Sequence, residues 1–175
     1  MKILYHGTDI DSAREICKSQ IIDVTRGAKH TDFGQGFYVT DDYERATRWA
    51  YRKAGLRGKN PAVITIVFDE KAAKNIIEYF SDDLRWGRFI INNRNGLAYI
   101  KNVAFKDNNL DARYDITCGR IADIDIIDVA DELKENGMML ISLDRILNKE
   151  YPIQYAFHTE QSTVYIKKMS YRSLV

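Results

Sequence analysis

Seven consecutive residues, Ala62-Val63-Ile64-Thr65-Ile66-Val67-Phe68, form the clearest strand in the chain. β-Branched side chains fit a pleated surface, and a run with no polar face predicts a strand inside a sheet. Further strands are expected over residues 2–5, opening into a loop at His6-Gly7-Thr8, and over 36–40, 114–118, 153–158 and part of 164–172. Ile10, Ala13, Ile16, Cys17 and Ile21 recur at helical spacing behind a capping-box pattern, Ser12-Ala13-Arg14-Glu15. A second helix is expected over 42–54, capped by Thr40, with acids early and bases late, and ended by Gly55. Residues 70–79, 83–94, 123–135 and 142–148 also read as helical. Residues 22–35 read as a loop and Glu160-Gln161-Ser162 as a turn, while 95–110 carry no clear pattern. Strands and helices mix without βαβ alternation, which favours an α+β class with split, partly antiparallel sheets and peripheral helices over a doubly wound fold. No GxGxxG follows the first strand and no GxxxxGK[ST] occurs, so dinucleotide-fold and P-loop readings lack support.

A length of 175 residues suits one domain spanning 1–175. Lys and Arg number 26 against 25 Asp and Glu, so overall charge points neither to nucleic acid nor to a membrane, and only local patches can. Cys17 and Cys118 stand alone without metal-like or CxxC spacing, as expected of small thiols in a reducing cytoplasm. No apolar run approaches the ~20 residues that span a bilayer, and Met1-Lys2-Ile3-Leu4-Tyr5 lacks a signal-peptide pattern. A cytoplasmic protein with no membrane partner is the expectation.

Three stretches carry candidate chemistry. In Asp32-Phe33-Gly34-Gln35-Gly36-Phe37-Tyr38-Val39-Thr40, two glycines precede an aromatic strand. Glycine permits unusual backbone angles and close approach of a ligand to the main chain, and the strand holds Tyr38 on a rigid support. Tyr5-His6-Gly7-Thr8 ends the first strand, and Ile153-Gln154-Tyr155-Ala156-Phe157-His158-Thr159 forms a late one. Each of His6, Tyr38 and Gln154 alone has an ordinary structural reading: a bonded strand-end histidine, a core tyrosine, an exposed strand start.

Together the stretches resemble the ADP-ribosyltransferase superfamily, in its diphtheria-toxin-like branch that includes the poly(ADP-ribose) polymerases. That branch carries a His-Tyr-Glu triad on three strands, and the second motif leads into a helix ending in an aromatic, here Ala46-Thr47-Arg48-Trp49-Ala50. A closer resemblance is to a bacterial family of this fold known as a domain of unknown function. It shares the HG[ST] start, the DFGxGFYxT block, a YDxxxGxxAD segment (Tyr114 to Asp123) and a QxxFHT strand.

The resemblance implies NAD as co-substrate and no metal. The transition state would be a cationic sugar, as in glycoside cleavage. His6 would bond the adenosine ribose, the Gly7 backbone the nicotinamide amide, and Thr8 a ribose. Tyr38 would stack on the nicotinamide beside Gly36, with Trp49 either opposing it or serving as core. Gln154 departs from the family pattern. Glutamine keeps an acceptor oxygen but has no charge and cannot act as a base, a function worth about 10²–10⁴ in rate. Slow single ADP-ribose transfer, an acceptor needing little activation or a base from elsewhere, and NAD binding without turnover all remain open, as does NAD hydrolysis. His158 lies too far along the strand to replace the carboxylate, and Glu160, past the strand end, does too unless the chain turns back, so both read as structural or acceptor-facing; Asp32 would order the loop before Tyr38, and Asp123 would cap a helix.

The acceptor would be RNA, DNA or protein. Arg45, Arg48, Arg52, Lys53, Arg57 and Lys59 form either a solvated helix face or a nucleic-acid contact, and Arg85, Trp86, Arg88 and Phe89 either stack bases or pack a helix. The resemblance also implies the toxin of a toxin–antitoxin or phage-defence pair, with a neutralising antitoxin protein as partner.

Overall fold

The interior strand expected over 62–68 is β3 (Pro61–Phe68) of a computed structural model that describes residues 1–79, 83–95, 108–122 and 152–175. Its antiparallel neighbours are β1 (Lys2–Asp9) on one side and β7 (Ile166–Ser173) on the other. The remaining strands are β2 (Phe37–Thr40), β4 (Ile76–Tyr79), β5 (Ile116–Arg120) and β6 (Ile153–Phe157). Among the described residues they form one sheet of order β4-β5-β6-β2-β1-β3-β7, antiparallel except at β4–β5, in an α+β fold.

The expected split is therefore a weak seam rather than a break. β1 pairs with β3 along its whole length, from Lys2 opposite Phe68 to Asp9 opposite Pro61. It meets β2 only where Tyr5 faces Thr40. That one bridge keeps the sheet continuous, and beyond it the strands part. Full pairing with β3 also explains why His6, Gly7 and Thr8 are strand and not loop.

Helix α1 (Ile10–Ser19) covers one face of the sheet and α2 (Tyr43–Arg57) the other. Under α1 lies the main core, with Leu4, Ala13, Phe37, Val39, Ile64, Ile66, Tyr155 and Phe157 all buried. Burying each large apolar side chain contributes about 1.5–3 kcal/mol. On the other face α2 presents Ala46, Ala50 and Ala54 at four-residue spacing, a smooth stripe that lets its backbone approach β1 closely. α3 (Asp83–Asn95) packs beside β4, and the short α4 (Glu160–Thr163) replaces the expected turn before β7.

Several boundaries differ from the expectation for local reasons. Asp9, not Ser12, caps α1, taking both the Ser12 N–H and hydroxyl. Asp42, not Thr40, caps α2 through the Arg45 N–H, and α2 passes Gly55 to stop at Gly58, which has φ +61°. Thr40 instead donates its hydroxyl to the Ile153 carbonyl and ties β2 to the start of β6. The helix expected over 70–79 is a set of turns followed by β4, because pairing with β5 overrides local propensity. β5 begins at Ile116 and runs through Gly119 to Arg120. The helices expected over 123–135 and 142–148, and Asp123, lie outside the described residues.

Candidate functional site

Where β1 and β2 part, His6 fills the gap. Its Nδ1 lies 2.6 Å from the Tyr38 carbonyl oxygen, and its ring stacks on Phe37 at 4.2 Å between centroids. A carbonyl oxygen only accepts, so Nδ1 carries the hydrogen. The imidazole thus satisfies a strand carbonyl in the region where the β1 ladder is missing. Burial, then the charge of Lys53, lowers its pKa to about 3 against the opposing pull of the Tyr38 bond. His6 is therefore neutral near pH 7, and Nε2 is an acceptor with no partner among the described residues.

Tyr38 uses its hydroxyl to hold the preceding loop. It donates to the Gly34 carbonyl at 2.7 Å, receives the Phe33 N–H at 2.8 Å and meets the Thr31 hydroxyl at 2.8 Å. Burial, then the Asp32 charge, raises its pKa and keeps the phenol protonated. Gly34, at φ +88°, makes the turn that brings this loop back over the ring.

Gln154 sits opposite Thr40 in the β2–β6 register, so it shares a sheet face with Tyr38. It is buried, and its Nε2 donates to Asp32 Oδ2 at 2.8 Å. Arg94 of α3 engages Asp32 Oδ1 through Nε at 2.5 Å and through Nη2. Asp32 does more than order its loop: it places a carboxylate against Gln154.

A cleft of about 1070 Å³ opens here, at the upper end of small-molecule sites. His6, Thr8, Gly36, Tyr38, Trp49 and Gln154 all line it, and Gly7 lines the adjoining recess with His6, Tyr38, Trp49 and Gln154. The expected residues thus converge. Trp49 is 43 % exposed beside the cleft, which disfavours its reading as core.

The two glycines have reasons the sequence did not disclose. A Cβ on Gly7 would lie 2.0 Å from the Ala46 carbonyl oxygen, so the packing of α2 by itself requires the bare backbone. A Cβ on Gly36 would lie 2.7 Å from the Phe157 carbonyl oxygen.

The basic stretch divides. Arg57 pairs with buried Asp9 at 2.6 Å and Lys59 with Asp11 at 2.9 Å, while Arg48 is exposed. Arg52 and Lys53 line the cleft with no ion-pair partner among the described residues. Burial, then Arg57, lowers the Lys53 pKa to about 8, with Asp9 opposing. Trp86 and Phe89 are buried, and Trp86 Nε1 donates to the Arg120 carbonyl, so neither can stack a base; the Arg85 and Arg88 side chains lie outside the described residues. Both cysteines are free thiols, Cys118 buried and Cys17 partly so.

His158 is structural. Its Nδ1–H donates to the Gln35 carbonyl at 2.7 Å and its Nε2 lies 3.0 Å from the Thr117 hydroxyl. Burial lowers its pKa to about 4. Glu160 is exposed at the start of α4 and does not line the cleft. His6 and His158 bind protons more readily when unfolded, so the stability they contribute is present above pH ~6.5 and lost as pH falls toward their folded values. Thermal unfolding is expected to show Tm falling between pH 6.5 and 4, with a weaker fall in His158→Gln.

Asp32 and Arg94 are the site residues that sequence reasoning did not join to Gln154. The available signal was the uncharged third position itself, which asks for a charge from elsewhere. Among the described residues no group of three His, Cys, Asp or Glu side chains is placed to hold a metal ion, and no helix is long and apolar enough to cross a membrane.

Fold and site together define an α+β protein with a small-molecule-sized cleft at a parted strand pair. The chain belongs to the family described as Protein of unknown function (DUF3990), whose profile matches residues 2–168. No curated protein and no solved structure gives a match.

Proposed function

We propose that the protein is an NAD-dependent mono-ADP-ribosyltransferase that releases nicotinamide and passes ADP-ribose to a nucleic acid or protein. The observation that carries this reading is the convergence of His6, Tyr38 and Gln154, from three strands, on one cleft at the seam. Neutral His6 offers Nε2 to a ribose hydroxyl. Tyr38 and Trp49 offer ring faces to the nicotinamide, worth roughly 0.5–1.5 kcal/mol for an aromatic pair beyond area burial. Arg52 and Lys53 offer the positive charge a diphosphate needs.

In the reaction the bond from ribose C1′ to the nicotinamide nitrogen breaks, and nicotinamide leaves with the electron pair. An acceptor nucleophile then bonds C1′ and gives up its proton. Gln154 Oε1 can stabilise the cationic sugar by its dipole but cannot take that proton. A slow transfer of single ADP-ribose units follows from this, because chain elongation depends most on a base. In this reading the protein is the toxic half of a toxin–antitoxin or phage-defence pair with a neutralising partner.

NAD labelled in its adenylate half, incubated with protein and cell lysate, is expected to leave label on a macromolecule. Protease and nuclease digestion then assign the acceptor class. NAD left intact with no label under any condition rules the activity out, and free ADP-ribose without macromolecular label makes the protein a hydrolase instead.

A further inference from the structure

Asp32 lies far from Gln154 in sequence, yet its carboxylate is built into that residue's surroundings. Oδ1 takes the Arg94 guanidinium, and Oδ2 takes the Ala122 N–H at 3.3 Å and Gln154 Nε2 at 2.8 Å. Arg94 Nη2 also donates to the Ala122 carbonyl at 2.9 Å, which closes a ring of hydrogen bonds around the Ala122 peptide. The Asp32 carbonyl is held in turn by Asn93 Nδ2 at 3.2 Å. Asp32 and Arg94 both line the cleft.

An ionised carboxylate only accepts, so the Gln154 amide has one allowed orientation. Its NH₂ faces Asp32, and its Oε1 is left without a donor among the described residues. Without Asp32, either end of the amide could face the cleft. The charge beside the NH₂ group also polarises the amide and makes Oε1 a better acceptor.

We propose that Asp32, braced by Arg94, is a positioning residue that fixes Gln154 Oε1 as the acceptor for a ribose hydroxyl of the ligand; this rests on the NAD reading of the cleft. The relay Arg94–Asp32–Gln154 keeps the acceptor oxygen that a glutamate at 154 would present and moves the negative charge one residue back.

The test compares wild type with Q154E, D32N and D32N/Q154E in the full chain. Thermal unfolding and nicotinamide release from NAD are both followed from pH 5 to 8. Among the described residues, the charged and titratable groups lining the cleft and its recess with Gln154 include Asp32 from the loop before β2, Arg94 from α3, Tyr38 from β2, Tyr5 and His6 from β1, and Arg45, Arg52 and Lys53 from α2. In Q154E the like charge of Asp32 raises the pKa of the new carboxyl in the folded state. Protonated, it donates to Asp32 and keeps a carbonyl oxygen, as the amide does. The stability it contributes is therefore present at low pH and lost as pH rises through the raised pKa.

Q154E is expected to lose roughly 4–7 °C of Tm from pH 5 to 8 relative to wild type. Its nicotinamide release, also relative to wild type, should fall about tenfold over that range. D32N/Q154E restores a donor–acceptor pair, and both Tm and release at pH 8 should recover over Q154E. Q154E indistinguishable from wild type at every pH, or a double variant no better than Q154E, overturns the role of Asp32 while the NAD reading stands. Wild type that neither binds nor cleaves NAD, with the Tm pattern intact, overturns the NAD reading and leaves Asp32 a staple of the fold.

Discussion

Gly7→Ala is expected to prevent the chain from reaching its folded state. The added Cβ would sit 2.0 Å from the Ala46 carbonyl oxygen and 2.7 Å from the Ala50 nitrogen, both backbone atoms of α2. No rotamer change relieves such a contact, so α2 would have to lift off β1. Lifting it exposes Ala46 and Ala50 of the helix and Val63 of the neighbouring β3, now buried against one another. Overpacking typically costs 1–3 kcal/mol, and a backbone clash this close belongs beyond that range. Gly55→Ala is the matching control. It lies within the same helix, its Cβ would meet nothing within 4 Å, and alanine there should stabilise by about 0.5–1 kcal/mol. Soluble yield and Tm of the two variants should move in opposite directions. A folded Gly7→Ala protein with unchanged Tm would show that α2 does not approach β1 as closely as described.

Tyr38 variants should separate ring from hydroxyl. Tyr38→Ala removes the aromatic face from the cleft and the phenol from the 31–34 loop, and on the proposed NAD reading nicotinamide release is expected to fall ~100-fold, as positioning losses do. Tyr38→Phe keeps the ring but leaves the Phe33 N–H and the Gly34 carbonyl without their phenol partner. That costs about 1–3 kcal/mol and loosens the loop that carries Asp32. Release by Tyr38→Phe should therefore fall between wild type and Tyr38→Ala, with Tm lowered in both. Full activity in Tyr38→Ala would remove this ring from the mechanism.

The placement of the candidate residues was legible where each stands on a rigid strand. His6 lies within β1, Tyr38 and Gln154 near the starts of β2 and β6, and period-two alternation gives the sheet face of each. The α+β class was legible for the same reason, since the strands announce themselves by composition. What could not be read depends on distant partners. Nothing near Asp32 says that it faces Gln154, and nothing in Tyr5-His6-Gly7-Thr8 says that a helix 40 residues on lies against the glycine. The stretch before Tyr79 looked helical because β5, which makes it a strand, comes much later in the chain. Helix caps were misplaced by a few residues because Asp9, Asp11 and Ser12, or Thr40 and Asp42, are all competent caps standing side by side.

The single bridge between Tyr5 and Thr40 has a mechanical consequence. Both ends of the described chain, β1 and β7, belong to one half of the sheet, with β3 between them. The other half, β4-β5-β6-β2, is bound to it mainly by interlocked side chains, since the core runs unbroken beneath both. Packed side chains, with the bond from His6 Nδ1 to the Tyr38 carbonyl, take the place of a ladder there. A molecule lodged in the opening would touch both halves, and by binding only the joined state it would add its own binding energy to what holds them together.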